Sequence, residues 1–254
     1  MRFLDIPGGR LETESLDGDP RQPTLVLLHE GLGSVALWRG LPGELQRATG
    51  ARVLAFSRFG HGRSDPPPRP RTPAFMHEEA LEVLPALLER AAIERPVLVG
   101  HSDGASIALI HAARHEVTAL VLLAPHVFVE QICVDAIRET RRQFERGGLR
   151  ERMARRHSDP DVTFSGWADV WLDPEFRSWN IEQLLPDVRA PALVIQGRDD
   201  EYGTLAQVDA VERDLGGPVE RLVVSGGHSP HLEHPQEVPA AIVSFIERLR
   251  ADAA

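Results

Sequence analysis

Six short apolar runs, separated by segments of helical length, constrain this chain more than any other feature. They occupy residues 24–29 (TLVLLH), 52–57 (RVLAFS), 96–101 (PVLVGH), 118–124 (TALVLLA), 192–196 (ALVIQ) and 219–224 (VERLVV). Most are nearly continuous in apolar residues instead of alternating with polar ones, as a strand covered on both faces requires. Between them lie helix-length stretches at 36–48, 73–92, 103–115, 204–215 and 236–251. The alternation predicts an α/β fold built on a doubly wound, mostly parallel sheet. Within 73–92, Leu81, Leu84, Leu88 and Ala91 fall at helical spacing and predict one buried stripe, with Glu78, Glu82 and Glu89 outside. Pro85 removes a backbone hydrogen bond there and predicts a kink.

The strand rhythm stops between about 127 and 186. That stretch turns Arg-rich (RRQFERGGLRERMARR) and then Trp-rich (WADVWLDPEFRSWN), and it reads as a helical insertion dividing a core made of residues 1–126 and 187–254. The Pro-rich stretch 66–73 reads as a stiff loop. A chain of 254 residues is long enough for one sizeable core. Its formal charge of -10, with no basic stripe, argues against nucleic-acid and membrane partners. The single Cys133 can form neither an internal disulfide nor a cysteine metal cluster, and it reads as a small buried hydrophobe. No apolar leader is visible in MRFLDIPGGR, and a cytoplasmic setting is expected. Nothing in the pattern speaks to oligomeric state.

Gly100-His101-Ser102-Asp103-Gly104 matches G-x-S-x-G directly after an apolar run and directly before a helical pattern. This context predicts a tight strand-to-helix turn in which the glycines permit close approach and the serine sits at a helix N-terminus. There the Asp103 amide is placed to stabilise a developing negative charge. A serine hydroxyl needs a base to take its proton. His228, after the last strand and a glycine-rich turn (SGGHSPH), is the best placed of eleven histidines. His77, His111, His115 and His157 read as solvated helix or loop residues. His228, His231 and His234 have metal-like spacing, but Pro230 and Pro235 break any helix that would gather them, so no metal is expected. An acid that orients the base should follow the strand at 192–196, where Asp199, Asp200 and Glu201 compete.

These motifs resemble the α/β-hydrolase superfamily: LLHEGLGS at 27–34, SRFGHGRSD at 57–65, GHSDG at 100–104, GRDD at 197–200 and GGHSPHLEHP at 226–235. The resemblance covers residues 21–249. It implies a catalytic Ser102, Asp200 and His228, with Asp199 as the fallback acid, and a helical cap at 127–186. It also implies a second oxyanion donor in the loop after His29. There this chain departs from the family, because Glu30 stands where a glycine is usual, leaving Gly31 or Glu30 itself as donor. Ser-Asp-Gly at the nucleophile is similar to valacyclovirase-like (biphenyl-hydrolase-like) hydrolases. In that group the Asp holds an amino-acid ester's amine, and an acidic first-turn residue is also favourable through the helix dipole alone.

Glu30 and Asp103 are therefore candidates to bind substrate, as is His126 just past a strand end. Of the cap aromatics Phe128, Phe164, Trp167, Trp171, Phe176 and Trp179, two are expected at the pocket, and Trp167 and Trp171 are the candidates. The expected chemistry is hydrolysis of a small-molecule carboxylic ester or related acyl bond through an acyl-enzyme, without a cofactor. The same three residues also support carbon–carbon bond hydrolysis, lactone hydrolysis or perhydrolysis. A ligand-binding homologue with an idle triad is the alternative outside enzymes.

Overall fold

The computed structural model describes residues 2–252. In chain order its elements are β1 (Arg2–Ile6), β2 (Gly9–Leu16), β3 (Leu25–Leu28), α1 (Leu41–Thr49), β4 (Val53–Phe56), α2 (Phe75–Glu78) and α3 (Leu84–Arg90). Then come β5 (Val97–His101), α4 (Asp103–Ala112), β6 (Ala119–Leu123), α5 (Gln131–Glu145), α6 (Gly148–Ala154) and α7 (Pro160–Leu172). The chain returns to the sheet with β7 (Ala192–Gly197), α8 (Leu205–Asp214), β8 (Val219–Val224), α9 (Pro230–Glu233) and α10 (Glu237–Asp252). The eight strands form one sheet in the order β1-β2-β4-β3-β5-β6-β7-β8. Every pairing from β4 to β8 is parallel, while β1–β2 and β2–β4 are antiparallel.

The continuous apolar runs are explained by two cores, one on each face. Val26, Leu28, Leu54, Phe56, Leu98, Leu120 and Leu122 face one side, with α4 and residues of α5 and α7 over them. Their neighbours Leu25, Leu27, Val53, Ala55, Val97, Val99 and Val121 face the other, under α1 and α10. Successive strand residues point to opposite faces, so a strand covered on both sides has no place for polar alternation. Truncating one such leucine to alanine costs about 2–5 kcal/mol. The segment between β6 and β7 holds α5, α6 and α7, and α7 is capped by Asp159, whose carboxylate accepts from the Asp161 and Val162 amides at 3.0 Å.

Three sequence expectations need correction. The stripe in 73–92 is displaced: Leu81 is 39% exposed, whereas Glu79 turns inward. The disturbance that Pro85 imposes appears as a π-helical turn, Glu79–Val83, in which the Leu84 amide reaches back to Glu79 O. The extra residue in that turn rotates the face. His111 and His157 are buried, not solvated: His111 Nδ1 lies 2.8 Å from Ala80 O, and His157 Nε2 lies 3.0 Å from Leu32 O. The hairpin β1–β2 was absent from the strand pattern because only four of its thirteen residues are buried, but its turn is a Pro7-Gly8 pair with Gly8 at φ +99°.

Candidate active site

The turn from β5 into α4 is as tight as its glycines require. A Cβ on Gly100 would lie 2.4 Å from Gly104 O, and one on Gly104 would lie 2.0 Å from Leu28 O. Ser102 sits at φ +53° and ψ -120°, a conformation costing about 1–3 kcal/mol that persists because the packing on both sides leaves no other path. Its amide donates to Leu123 O at 2.8 Å, which fixes the turn against β6.

Strand ends bring two further residues to this serine. His228 Nε2 lies 2.8 Å from Ser102 Oγ, and His228 Nδ1 lies 2.8 Å from Asp200 Oδ2. Asp200 also accepts from the Tyr202 amide at 2.7 Å and from Gln196 Nε2 at 2.7 Å. Burial alone would raise the Asp200 carboxyl, but the hydrogen bond and charge of His228 outweigh it and hold the group below the ordinary carboxylate range. The other two candidates, Asp199 and Glu201, are exposed. The backbone carbonyl of His228 lies 2.7 Å from His101 Nε2, so the loop carrying His228 is tied to the residue before Ser102.

The opposite side of Ser102 is crowded with buried charge. Asp103 Oδ1 accepts from Trp171 Nε1 at 3.1 Å, and Asp103 Oδ2 lies 3.7 Å from Arg58 Nη2, with both side chains 1% exposed. Burial pushes the Asp103 carboxyl up, while Arg58 and Arg71 pull it down, and burial prevails. Arg58 was not singled out in the sequence. Its only signal is a position inside SRFGHGRSD, and it pairs with a residue 45 positions away by number (103 - 58). Glu30 is 3.5 Å from His101 Nδ1 and its side chain is 27% exposed. Burial opposes charge on both partners, yet each stabilises the other's charged form: the Glu30 carboxyl is held low and the His101 imidazole is raised.

A cavity of about 90 Å³ opens between these two sides. Its wall includes Glu30, Gly31, Ser102, Asp103, His126 and His228, together with Trp167 and Trp171 from α7. Phe128, Phe164, Phe176 and Trp179 do not line it; Phe164 stacks on Phe144, and Phe176 on Trp179. The sequence reading missed Leu32, Cys133, Ile137 and Tyr202 in the wall. Tyr202, the chain's one tyrosine, follows GRDDE and packs 4.7 Å from the His228 ring. Burial pushes the Cys133 thiol up and lowers His126 to about 3. His228, His231 and His234 diverge: His231 packs on Trp38, while His234 Nε2 lies 2.8 Å from Ser225 O. Among the described residues no group of three or more His, Cys, Asp and Glu side chains is set to hold a metal ion, and no helix is long and apolar enough to cross a membrane.

The profile described as "Alpha/beta hydrolase family" matches residues 25–241, which is most of the chain. This chain belongs to the alpha/beta hydrolase family. It is similar to the serine hydrolase BPHL of Homo sapiens, with 25% identity over 206 residues, covering 77% of this chain and 69% of that protein. Among solved structures, the esterase EaEST of Exiguobacterium antarcticum superposes with a TM-score of 0.77 at 18% identity, covering 96% of this chain and 98% of its own. The enol-lactonase of Burkholderia xenovorans LB400 does so at 0.75 and 20%, covering 97% and 100%. At such identities the structural likeness establishes the alpha/beta hydrolase fold and no particular substrate.

Proposed function

We propose that this chain is a serine hydrolase that cleaves a small carboxylic ester or related acyl bond through an acyl-enzyme. The observation that carries the reading is the continuous contact from Ser102 Oγ through His228 to Asp200, with distances of 2.8 and 2.8 Å, at the floor of a cavity. His228 Nε2 takes the Ser102 proton as Oγ attacks the carbonyl carbon, and Asp200 holds the imidazole by Nδ1 and stabilises the imidazolium. The oxyanion is received by the Asp103 amide at the start of α4 and by the Gly31 amide. His228 returns the proton to the leaving alcohol. Water, deprotonated by the same nitrogen, then releases the acid and restores Ser102. The Ser102→Ala variant should lose turnover of short aryl esters by roughly 10⁶-fold. Unchanged turnover in that variant contradicts the reading.

Acyl groups that carry an amine are the favoured substrates in this proposal. Two carboxylates, Glu30 and Asp103, lie in the cavity wall and no arginine does. Glu30 is the more accessible, since Asp103 already faces Arg58 and Trp171. A charge-assisted contact of this kind contributes about 1.5–3 kcal/mol. An α-aminoacyl ester should therefore be hydrolysed faster than its des-amino analogue, and Asp103→Ala should shrink the difference. Equal kcat/KM for the two esters in the parent rules the preference out.

A further inference from the structure

The loop that follows β3 presents three consecutive backbone carbonyls, and a different imidazole meets each one. His29 Nδ1 lies 2.7 Å from Glu30 O, His61 Nε2 lies 2.9 Å from Gly31 O, and His157 Nε2 lies 3.0 Å from Leu32 O. The rings form a row, with centroids 4.8 Å apart from His29 to His61 and 6.1 Å apart from His61 to His157. They reach this row from three places: the end of β3, the loop after β4, and the turn between α6 and α7. All three are buried.

The opposite nitrogen of each ring fixes where its proton sits. The Arg58 amide donates to His29 Nε2 at 3.0 Å, and the Gly62 amide donates to His157 Nδ1 at 2.9 Å. His61 Nδ1 has two neighbours, Phe59 O at 3.0 Å and Arg71 Nη2, which can only donate, at 3.1 Å; Arg71 Nη2 also donates to Phe59 O at 3.0 Å. A ring nitrogen that accepts carries no proton, so His29 and His157 are neutral and each aims its single N–H at a loop carbonyl; at His61 the Arg71 donor satisfies Phe59 O and faces Nδ1, which leaves Nε2 to carry the proton toward Gly31 O. Arg58 Nη2 adds a further donor to Glu30 O at 2.9 Å. Burial, the dominant cause, lowers the pKa of all three rings and keeps them in the neutral form that this pattern needs.

In a planar trans peptide the carbonyl of one residue and the N–H of the next point in opposite directions. Pinning Glu30 O and Gly31 O therefore turns the Gly31 and Leu32 amides away from the histidine row, and Gly31 and Leu32 line the cavity that holds Ser102. We propose that His29, His61 and His157 act as one set of positioning residues that holds the 30–33 loop with its amides set to receive an oxyanion. The inference rests on the hydrolase reading above and deepens it. It also couples the helical segment to the chemistry. His157 belongs to that segment, and its neighbour Ser158 donates through its amide to Gly62 O at 2.7 Å, so seating the segment on the core completes the support of the loop. Trp167, from the same segment, occupies the space a Gly31 side chain would need, with Nε1 2.2 Å from an ideal Cβ.

The test combines steady-state kinetics on p-nitrophenyl acetate with ¹⁵N NMR of the parent's ring nitrogens near neutral pH. In His61→Leu and His157→Leu, kcat should fall by about 100-fold with KM almost unchanged, because misplaced donors weaken only the transition state. His157→Gln, whose side-chain amide places a donor where Nε2 stood, should recover most of the loss. The spectra should show His29 protonated at Nδ1 and His61 and His157 protonated at Nε2. Parental kcat in folded leucine variants, no recovery in His157→Gln, or the opposite ring protonation overturns the proposal. If a leucine variant fails to fold, the glutamine variant and the parent spectra decide. A parent that turns over no ester fails the hydrolase reading, and the ring protonation then decides the histidine set alone.

Discussion

The two sides of Ser102 are built to different standards. On the side of His228, the Ser102 Oγ, both His228 nitrogens, both Asp200 oxygens and the His228 carbonyl all have partners at 2.7–2.9 Å. On the side of the cavity, Asp103 Oδ2 and Arg58 Nε and Nη1 are buried without hydrogen-bond partners among the described residues. Buried polar groups in folded proteins are nearly always satisfied, and leaving one unmade costs about 1–3 kcal/mol. The first side is finished in its Ser102–His228–Asp200 contacts, with only the supporting Gln196 Oε1 unpaired, whereas the second holds a buried Asp103–Arg58 pair at a cost in stability.

The sharpest way to break this comparison is to disturb the finished side. Asp200→Asn keeps the shape but presents the wrong hydrogen-bonding partner to His228 Nδ1, and kcat should fall by about 10⁴-fold. Steady-state assays check this, and a loss below tenfold shows that the contact is not a functional unit. The cavity side should fail differently. Arg58→Met strands the Asp103 charge, with a destabilisation of about 3–5 kcal/mol in urea unfolding, and a second change, Asp103→Leu, should recover much of it. A cost under about 1 kcal/mol for the single variant means that the pair contributes little.

Between the two lies Gly31. A methyl there meets Trp167 at 2.2 Å, so Gly31→Ala should displace either the loop or the indole and lower kcat by about 100-fold. Trimming Trp167 to Leu in the same chain should restore part of the rate, and no restoration points away from that contact. A separate effect concerns acid. His126 and His231 are lowered by burial to about 3 each, so the folded chain resists protonation that the unfolded chain accepts below its ordinary value near 6.5. Stability is thus intact above that value and lost as pH falls towards 3, by up to about 1.4 kcal/mol per pH unit for each ring. Thermal melts of His126→Asn should lose less between pH 6.5 and 4 than those of the parent, and an identical slope contradicts the assignment.

The His228 side was legible in the sequence and the cavity side only in part, for a physical reason. Strands covered on both faces leave continuous apolar runs, and a strained serine at a strand-to-helix turn needs glycines at fixed offsets, so 96–101 and GHSDG announce themselves locally. Asp200 needed family resemblance to be preferred over Asp199 and Glu201, because burial separates them and burial is a tertiary property. Arg58 against Asp103, and His61 and His157 against Gly31 and Leu32, are pairings between distant residues with no local periodicity. The π-helical turn at Glu79–Val83 escaped for a related reason: a period of 3.6 misplaces every residue after an inserted one, and Leu81 was assigned to the wrong face. The hairpin β1–β2 left only its Pro7-Gly8 turn as a signal.

Reaction with a fluorophosphonate, followed by intact-mass measurement and peptide mapping, tests the serine hydrolase assignment most directly. One adduct per chain, mapped to Ser102 and absent in Ser102→Ala, is the predicted result. An unlabelled parent, or an adduct on any other residue, contradicts the account.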